Sequence, residues 1–228
     1  MGRRSYGKRY REDLGKFPSA PVPVRDGVRF LKQCKPAKFD QTVELAIWLG
    51  IDPRQAEQQI RGSISLPHGI GKTKKVVAFC EDAQVAAAKE AGAVEAGGDE
   101  LIKKIQDGWT DFDVAVATPS MMRSVSRLGR VLGPQGKMPS PKAGTVVEDV
   151  VTAVAENAAG KVQYRNDDGG NIHLPVGKLS FEEDKLAENV EAFLSRLRSV
   201  KPATVKGQYI KKACLSATMT PGVALAVE

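Results

Sequence analysis

Histidine, cysteine and long apolar runs are all scarce in this chain. Two histidines, His68 and His173, leave little room for a zinc or two-metal centre, and no cofactor is expected. The three cysteines, Cys34, Cys80 and Cys214, are odd in number and far apart. They show neither metal-ligand spacing nor a disulfide framework, which fits a reducing cytoplasm. No run approaches the ~20 apolar residues that a membrane span needs, so no membrane partner is expected. The opening residues, MGRRSYGKRYRE, are basic and no apolar stretch follows them, so no secretory signal is expected. Apolar residues are still too plentiful, at 42%, for a disordered chain. The length of 228 residues suffices for one large domain or two small ones, each with its own core.

What the chain does have is positive charge, a formal +7, spread unevenly. Residues 1–69 carry 13 Lys and Arg against 7 Asp and Glu, and residues 161–228 carry 10 against 8. Residues 70–160 carry 11 against 12, so the surplus sits on the two ends. A basic surplus points to a polyanion, nucleic acid first. The plainer reading is a charge kept for solubility. Inside the near-neutral middle, Arg123, Arg127, Arg130, Lys137 and Lys142 fall in a stretch with no acidic residue, which predicts one basic face there.

The pattern of elements also divides the chain. In the middle, VVAFC (76–80) and FDVAVATP (112–119) read as buried strands. DAQVAAAKEAG, GGDELIKKIQDG, SMMRSVSRLGRVLG and VEDVVTAVAENAAG read as helices, with Asp82 and Asp99 placed to cap the first two and Gly92 and Gly160 placed to stop. The Pro- and Gly-rich GPQGKMPSPKAG reads as an exposed loop. The ends read differently. FDQTVELAIWLGI and QQIRGSISLP alternate, GKVQYRNDDGGNIHLPVG reads as a hairpin about 167–170, and QYIKKACLSATMT and VALAV read as closing strands. FEEDKLAENVEAFLSRLRSV is an amphipathic helix with Leu186, Val190, Phe193, Leu194 and Leu197 on one face. The expected fold class is α/β with two domains. An α+β domain is built from both chain ends, residues 1–69 and 161–228. A three-layer, Rossmann-like α/β domain, residues 70–160, is inserted into it. The crossings fall near Pro67–Gly69 and Gly160, plausible hinges.

Enzymatic motifs fail one by one. Gly71-Lys72-Thr73 looks like the end of a phosphate-binding loop, but the full pattern needs glycine at position 66, where Leu66 stands. Gly129, Gly133 and Gly136 do not give the dinucleotide fingerprint. Neither histidine has a nucleophile signature beside it. Glu182, Glu183 and Asp184 sit where a helix begins, which suits the helix dipole better than acid–base work. A nucleotide-binding α/β enzyme remains the alternative reading, because such a domain alone would allow it.

Three clusters in the flanks suit RNA better. Lys38-Phe39-Asp40-Gln41-Thr42 sets a cation beside an aromatic and a hydroxyl, offering phosphate contact, stacking and a 2′-hydroxyl partner. The plainer reading of Phe39 is a core side chain. Arg165, His173 and Lys178 lie on and around the expected hairpin. Ser216 to Pro221, with Thr218, Met219 and Thr220, is a run of small and hydroxyl side chains that lets RNA approach the backbone closely, or else a plain edge turn.

Those clusters and several longer motifs resemble the family of large-subunit ribosomal protein L-one, the bacterial-type protein of the ribosomal stalk. The carrying residues are KRY near the start, KFDQTVE (38–44), LGIDPR, QQIRGSISLPHGIGK, LGRVLGPQGKMPSPKAGTV (128–146), RNDDGGNIHLPVGK (165–178) and Thr218-Met219. The resemblance implies two domains, one inserted into the other, with no enzymatic activity and no cofactor. It implies binding of the stalk segment of large-subunit rRNA and help in releasing deacylated tRNA from the exit site. It further implies repression of translation from the protein's own mRNA, and a cytoplasmic monomer within the ribosome. Lys38, Phe39, Thr42, Arg165, His173, Lys178, Thr218, Met219 and Thr220 are the positions it assigns to RNA. Thr220 departs from the family pattern, which has glycine there. Either the RNA approach differs locally, or the backbone at 220 is not left-handed, a conformation β-branched residues avoid. Gln135 and Ser140 replace the family's Arg and Asn, which leaves that loop's contacts open.

Overall fold

The computed structural model describes residues 6–18 and 20–227, with the side chains of Asp82 and Lys142 outside the description. The protein is a mixed α/β chain that divides into two compact units. Unit 1 joins the residues up to Gly71 to those from Tyr164 onward, and unit 2 is Lys72–Gln163.

Unit 1 is built on a four-stranded sheet in the order β7-β1-β8-β9. These strands are Asn171–Lys178 (β7), Thr42–Leu49 (β1), Ile210–Ala217 (β8) and Val223–Leu225 (β9), each antiparallel to its neighbours. β1 alternates as its sequence predicts. Val43, Leu45, Ile47 and Leu49 are buried, while Glu44 and Trp48 are exposed and Thr42 and Ala46 half-buried. Helices α2 (Val24–Lys32) and α8 (Glu183–Ser199) pack on each other and against the sheet, α8 on β7 and α2 on β8 and β9. The whole expected stripe of α8 is buried, and its acidic first turn and basic last turn complement the helix dipole.

α1 (Lys8–Leu14) and α2 were not expected from the sequence. Gly27 in the middle of α2 hides its helical character, yet a Cβ there would come 2.7 Å from Leu225 Cδ2. Close helix–sheet packing therefore outweighs glycine's poor helix propensity.

The expected hairpin is corrected. The turn at 167–170 exists, but its two strands part company. β6 (Val162–Arg165) pairs with β2 (Arg61–Ile64) in a separate two-stranded sheet, and β7 pairs with β1. Only an isolated bridge, Asn166 to Ile172, joins the two arms.

Unit 2 holds a three-stranded parallel sheet in the order β4-β3-β5, from Val76–Phe79 (β3), Ala93–Gly97 (β4) and Val114–Ala117 (β5). All four residues of β3 and of β5 are buried, as in a sheet covered on both faces. Val77 and Phe79 join one core with Leu101, Ile102 and Ile105 of α4 (Asp99–Gln106). Val76 and Ala78 join the other, with Ala88 of α3 (Asp82–Glu90) and Val150 and Val154 of α7 (Val150–Ala158).

Three local expectations change. β4 was not anticipated. Gly98, not Asp99, occupies the cap position of α4, and Glu81, not Asp82, that of α3. The helix expected over SMMRSVSRLGRVLG is broken into α5 (Met122–Val125), a tighter turn at Ser126–Leu128, and α6 (Gly129–Leu132). Gly92 and Gly160 do end their helices, with φ of +105° and +102°. No helix among the described residues is long and apolar enough to cross a membrane.

Candidate nucleic-acid interface

Most of the sequence-predicted residues, all but Arg165 and His173, converge at one end of the unit 1 sheet. Thr42 starts β1 and stands opposite Lys178, whose Nζ donates to Thr42 Oγ1 at 2.9 Å. On the other side the ladder runs one residue past β8. Thr218 N donates to Thr42 O (3.1 Å), and Thr42 N donates to Thr218 Oγ1 (3.2 Å). The Thr218 hydroxyl in turn donates to Thr42 O at 3.3 Å. Both backbone groups of Thr42 are therefore consumed inside the protein. What this row offers outward is side chain: an ammonium with donors to spare and hydroxyl lone pairs.

Buried polar groups brace the segments on either side. Gln41 is buried; its Oε1 accepts from Met219 N (3.0 Å) and its backbone oxygen from Leu179 N (2.8 Å). Asp40 accepts from both the amide and the hydroxyl of Ser180, at 3.2 and 2.8 Å. Residues 38–41 are thus tied to the ends of β7 and β8, and Lys38 and Phe39 project from that strap. Phe39 is 52% exposed and Met219 50%, so two large apolar side chains stand out beside Lys38 and Lys178. That answers the question the sequence left about Phe39: it is not a core residue.

Thr220 resolves the departure noted above. No described residue other than glycine has positive φ, so its backbone is not left-handed. Its hydroxyl turns back into the loop, accepting from Ala217 N (3.0 Å), while Thr220 N donates to Ala217 O (3.0 Å). The threonine closes the turn with its own side chain, a bond that glycine could not make.

The remaining predicted residues are more dispersed. His173 stands on the same exposed face, opposite Ala46 and four residues from the Thr42 row, about 14 Å along the strand. Its Nε2 lies 3.9 Å from Asp167 Oδ2. Asp167 organises the turn by accepting from Asn171 N (2.7 Å) and Gly169 N (2.9 Å). The Asn171 amide chiefly, with help from the Asn171 side chain, Gly169 and His173, holds the Asp167 carboxyl below its usual range. Arg165 is exposed on β6, outside the four-stranded sheet that carries the others.

Sequence reasoning missed Arg9. Its guanidinium donates to Met219 O at 3.2 Å, bringing α1 to the rim of the cluster. Only the basic composition of KRYRE pointed that way.

In unit 2, Arg123, Arg127 and Arg130 are exposed as expected. Lys137 is not part of a free basic face. Its Nζ donates to Thr110 O (2.9 Å) and lies 5.2 Å from the centre of the Phe112 ring. The Lys142 side chain lies outside the described residues. At the edge of the sheet, Gly97 and Gly98 line an open groove of about 760 Å³. Glu95, Asp99 and Glu100 line it together with Lys89 and Lys104, so its charge is mixed.

Comparison with known proteins gives one consistent result. Residues 31–221 match the model of the family described as Ribosomal protein L1p/L10e family. The large ribosomal subunit protein uL1 of Protochlamydia amoebophila is 50% identical over 224 residues, covering 98% of this chain and 94% of that protein. The protein of the same name from Lactobacillus gasseri is 51% identical over 221 residues, 96% of each chain. That from Kosmotoga olearia is 52% identical over 202 residues, 89% of this chain and 87% of its own.

Proposed function

Because the chain belongs to the ribosomal protein L1p/L10e family, we propose that it is a non-enzymatic constituent of the large ribosomal subunit that grips the stalk segment of large-subunit rRNA. The observation that carries this reading is the Thr42–Lys178–Thr218 row, flanked by exposed Phe39 and Met219. The Thr42 backbone is saturated internally, so the row is a preformed surface of hydroxyl, ammonium and apolar groups. Folded RNA, read through phosphates and 2′-hydroxyls with an aromatic contact at an unpaired base, matches that chemistry. In this reading unit 1 is the RNA-binding domain, made from both chain ends, and unit 2 is an inserted domain. Lys38, Arg165 and His173 add contacts around the row.

The family resemblance extends the proposal to two further RNA partners. One is exit-site tRNA, whose deacylated form the protein helps release. The other is the protein's own mRNA, where a stalk-like element would compete for the same row and repress translation. The nucleotide-enzyme alternative finds little support in the sequence, where neither the phosphate-loop nor the dinucleotide pattern is complete, and the Gly97–Gly98 groove carries carboxylates and lysines alike.

A hydroxyl-radical footprint of the full chain on large-subunit rRNA tests the reading. Protection confined to the stalk segment, lost in a Lys178→Ala/Thr218→Ala variant that still folds, is the expected result. Protection elsewhere, or protection indifferent to those substitutions, overturns it.

A further inference from the structure

The exposed face of the unit 1 sheet does not end in ordinary surface at its far end. Six residues along β1 from Thr42, about 20 Å away, Trp48 stands 47% exposed. Across from it on β8 is Lys212, and on β7 is Asn171. The pairing slips at this point. Trp48 faces Lys212, yet Leu49 faces Ile210, so Lys211 is an extra residue with no partner on β1. Such a bulge re-aims side chains. Here it leaves both Lys211 and Lys212 exposed beside one indole, where strict alternation would have sent one of them to the buried face. Lys211 Nζ sits 4.7 Å from the Trp48 ring centre.

This cluster has no packing task that calls for tryptophan. The core side of β1 is already filled by Leu45, Ile47 and Leu49. Glu44 is four residues away along β1. Asp167, which reaches this row through Asn171, is engaged by the turn amides and the Asn171 side chain. An accessible indole with two ammonium groups beside it is complementary to a nucleotide, base on ring and phosphate between lysines.

We propose that Trp48, Lys211 and Lys212 form a second RNA contact on this face, separate from the Thr42 row, that takes an unpaired nucleotide. The inference rests on the reading that the chain binds RNA. A cation over an exposed ring is held more weakly than a stacked base. The incoming base therefore displaces Lys211 from the indole, and the freed ammonium joins Lys212 on the phosphate. Between the two contacts the face carries Ala46, Cys214 and His173, and nearer the Thr42 row Ser216 and the exposed Glu44 carboxylate, which separates the two basic contacts.

Trp48 reports directly on its own occupancy. The only other tryptophan is Trp109, so a full-length Trp109→Phe variant has one indole. Titration with a short unstructured RNA is expected to quench Trp48 saturably, with a Kd that rises with salt. Lys211→Gln/Lys212→Gln should weaken that binding about fivefold or more. The quench should survive Thr218→Ala, which addresses the other row. Trp48→Phe should retain more affinity for the oligomer than Trp48→Ala, since a smaller ring still stacks. No quench by the oligomer, while stalk rRNA still binds, overturns the proposal and leaves the function standing. So does a quench that depends on protein concentration alone, which would identify a second copy as the occupant. Loss of stalk binding in the unaltered chain would instead sink the functional reading.

Discussion

In unit 2 helices cover both faces of a parallel sheet, whereas in unit 1 they cover one face of an antiparallel sheet and leave the other to solvent. Strand composition follows. β3 and β5 are apolar throughout, while β1 alternates. A sheet buried on both faces can present only loops and helix ends to a partner. A half-covered sheet can present rows of side chains held at fixed spacing by the ladder. The sequence-predicted RNA residues of the sheet lie in unit 1, and the comparison gives a physical reason why they belong there.

Core substitutions should separate the units most strongly. Phe79→Ala, in the unit 2 core, should cost about 3–5 kcal/mol by the usual price of removing a buried aromatic. It should leave the rRNA affinity of the folded protein unchanged. Leu45→Ala, in the unit 1 core, should cost about 2–5 kcal/mol and weaken RNA binding too, because Leu45 lies three residues from Thr42 on the same strand. Urea unfolding followed by gel shift on the same samples would check both. Equal loss of RNA affinity in the two variants would break the comparison.

Surface substitutions sharpen it. Phe39→Ala should weaken rRNA binding by about 1–3 kcal/mol with no change in melting temperature, as expected for a stacking residue. Lys178→Met should flatten the log–log salt dependence by roughly 0.7–0.9, the signature of one lost phosphate contact. Arg127→Met in unit 2 should leave that slope for stalk rRNA unaltered. Thr220→Gly should cost about 0.5–1.5 kcal/mol through loss of the Ala217 N bond, read as a lower urea midpoint.

The smallest expected effect is on pH dependence. The Asp167 carboxyl is held below its usual range, so its contribution is present above the ordinary carboxylate range near pH 4. It is lost as pH falls through the depressed value. Asp167→Asn should therefore lower the melting temperature at neutral pH, with the gap from the unaltered chain closing in acid. A gap that stays constant into acid would show that shape, not charge, holds the turn.

How much was legible in the sequence depended on whether its cause was local. Alternation in β1 and the apolar stripe of α8 are local patterns, and both appear as read. β4 is short and rich in Ala and Gly between two helical stretches, so its periodicity carries little signal. α2 was masked by Gly27, whose use becomes visible only once Leu225 is beside it. The turn at 167–170 was read from Asp and Gly, but the partners of its arms, β2 and β1, are distant in sequence. At the site, residue types were readable while their bracing was not. Nothing local says that Gln41 accepts from the Met219 amide, that Arg9 reaches the Met219 carbonyl, or that Thr220 closes its own turn.

One consequence of the unit 1 sheet concerns the chain before it meets a partner. Its outer strand β7 carries Pro175, which has no amide hydrogen to offer, and the start of that strand is already bridged to Asn166. At the opposite border, Val22 donates to Ala224 O at 3.0 Å and accepts from Ala226 N at 2.8 Å, so β9 is shielded as well. Both borders are blunted against the addition of foreign strands. A basic protein thus carries its own protection against templated aggregation while the face of its sheet stays open.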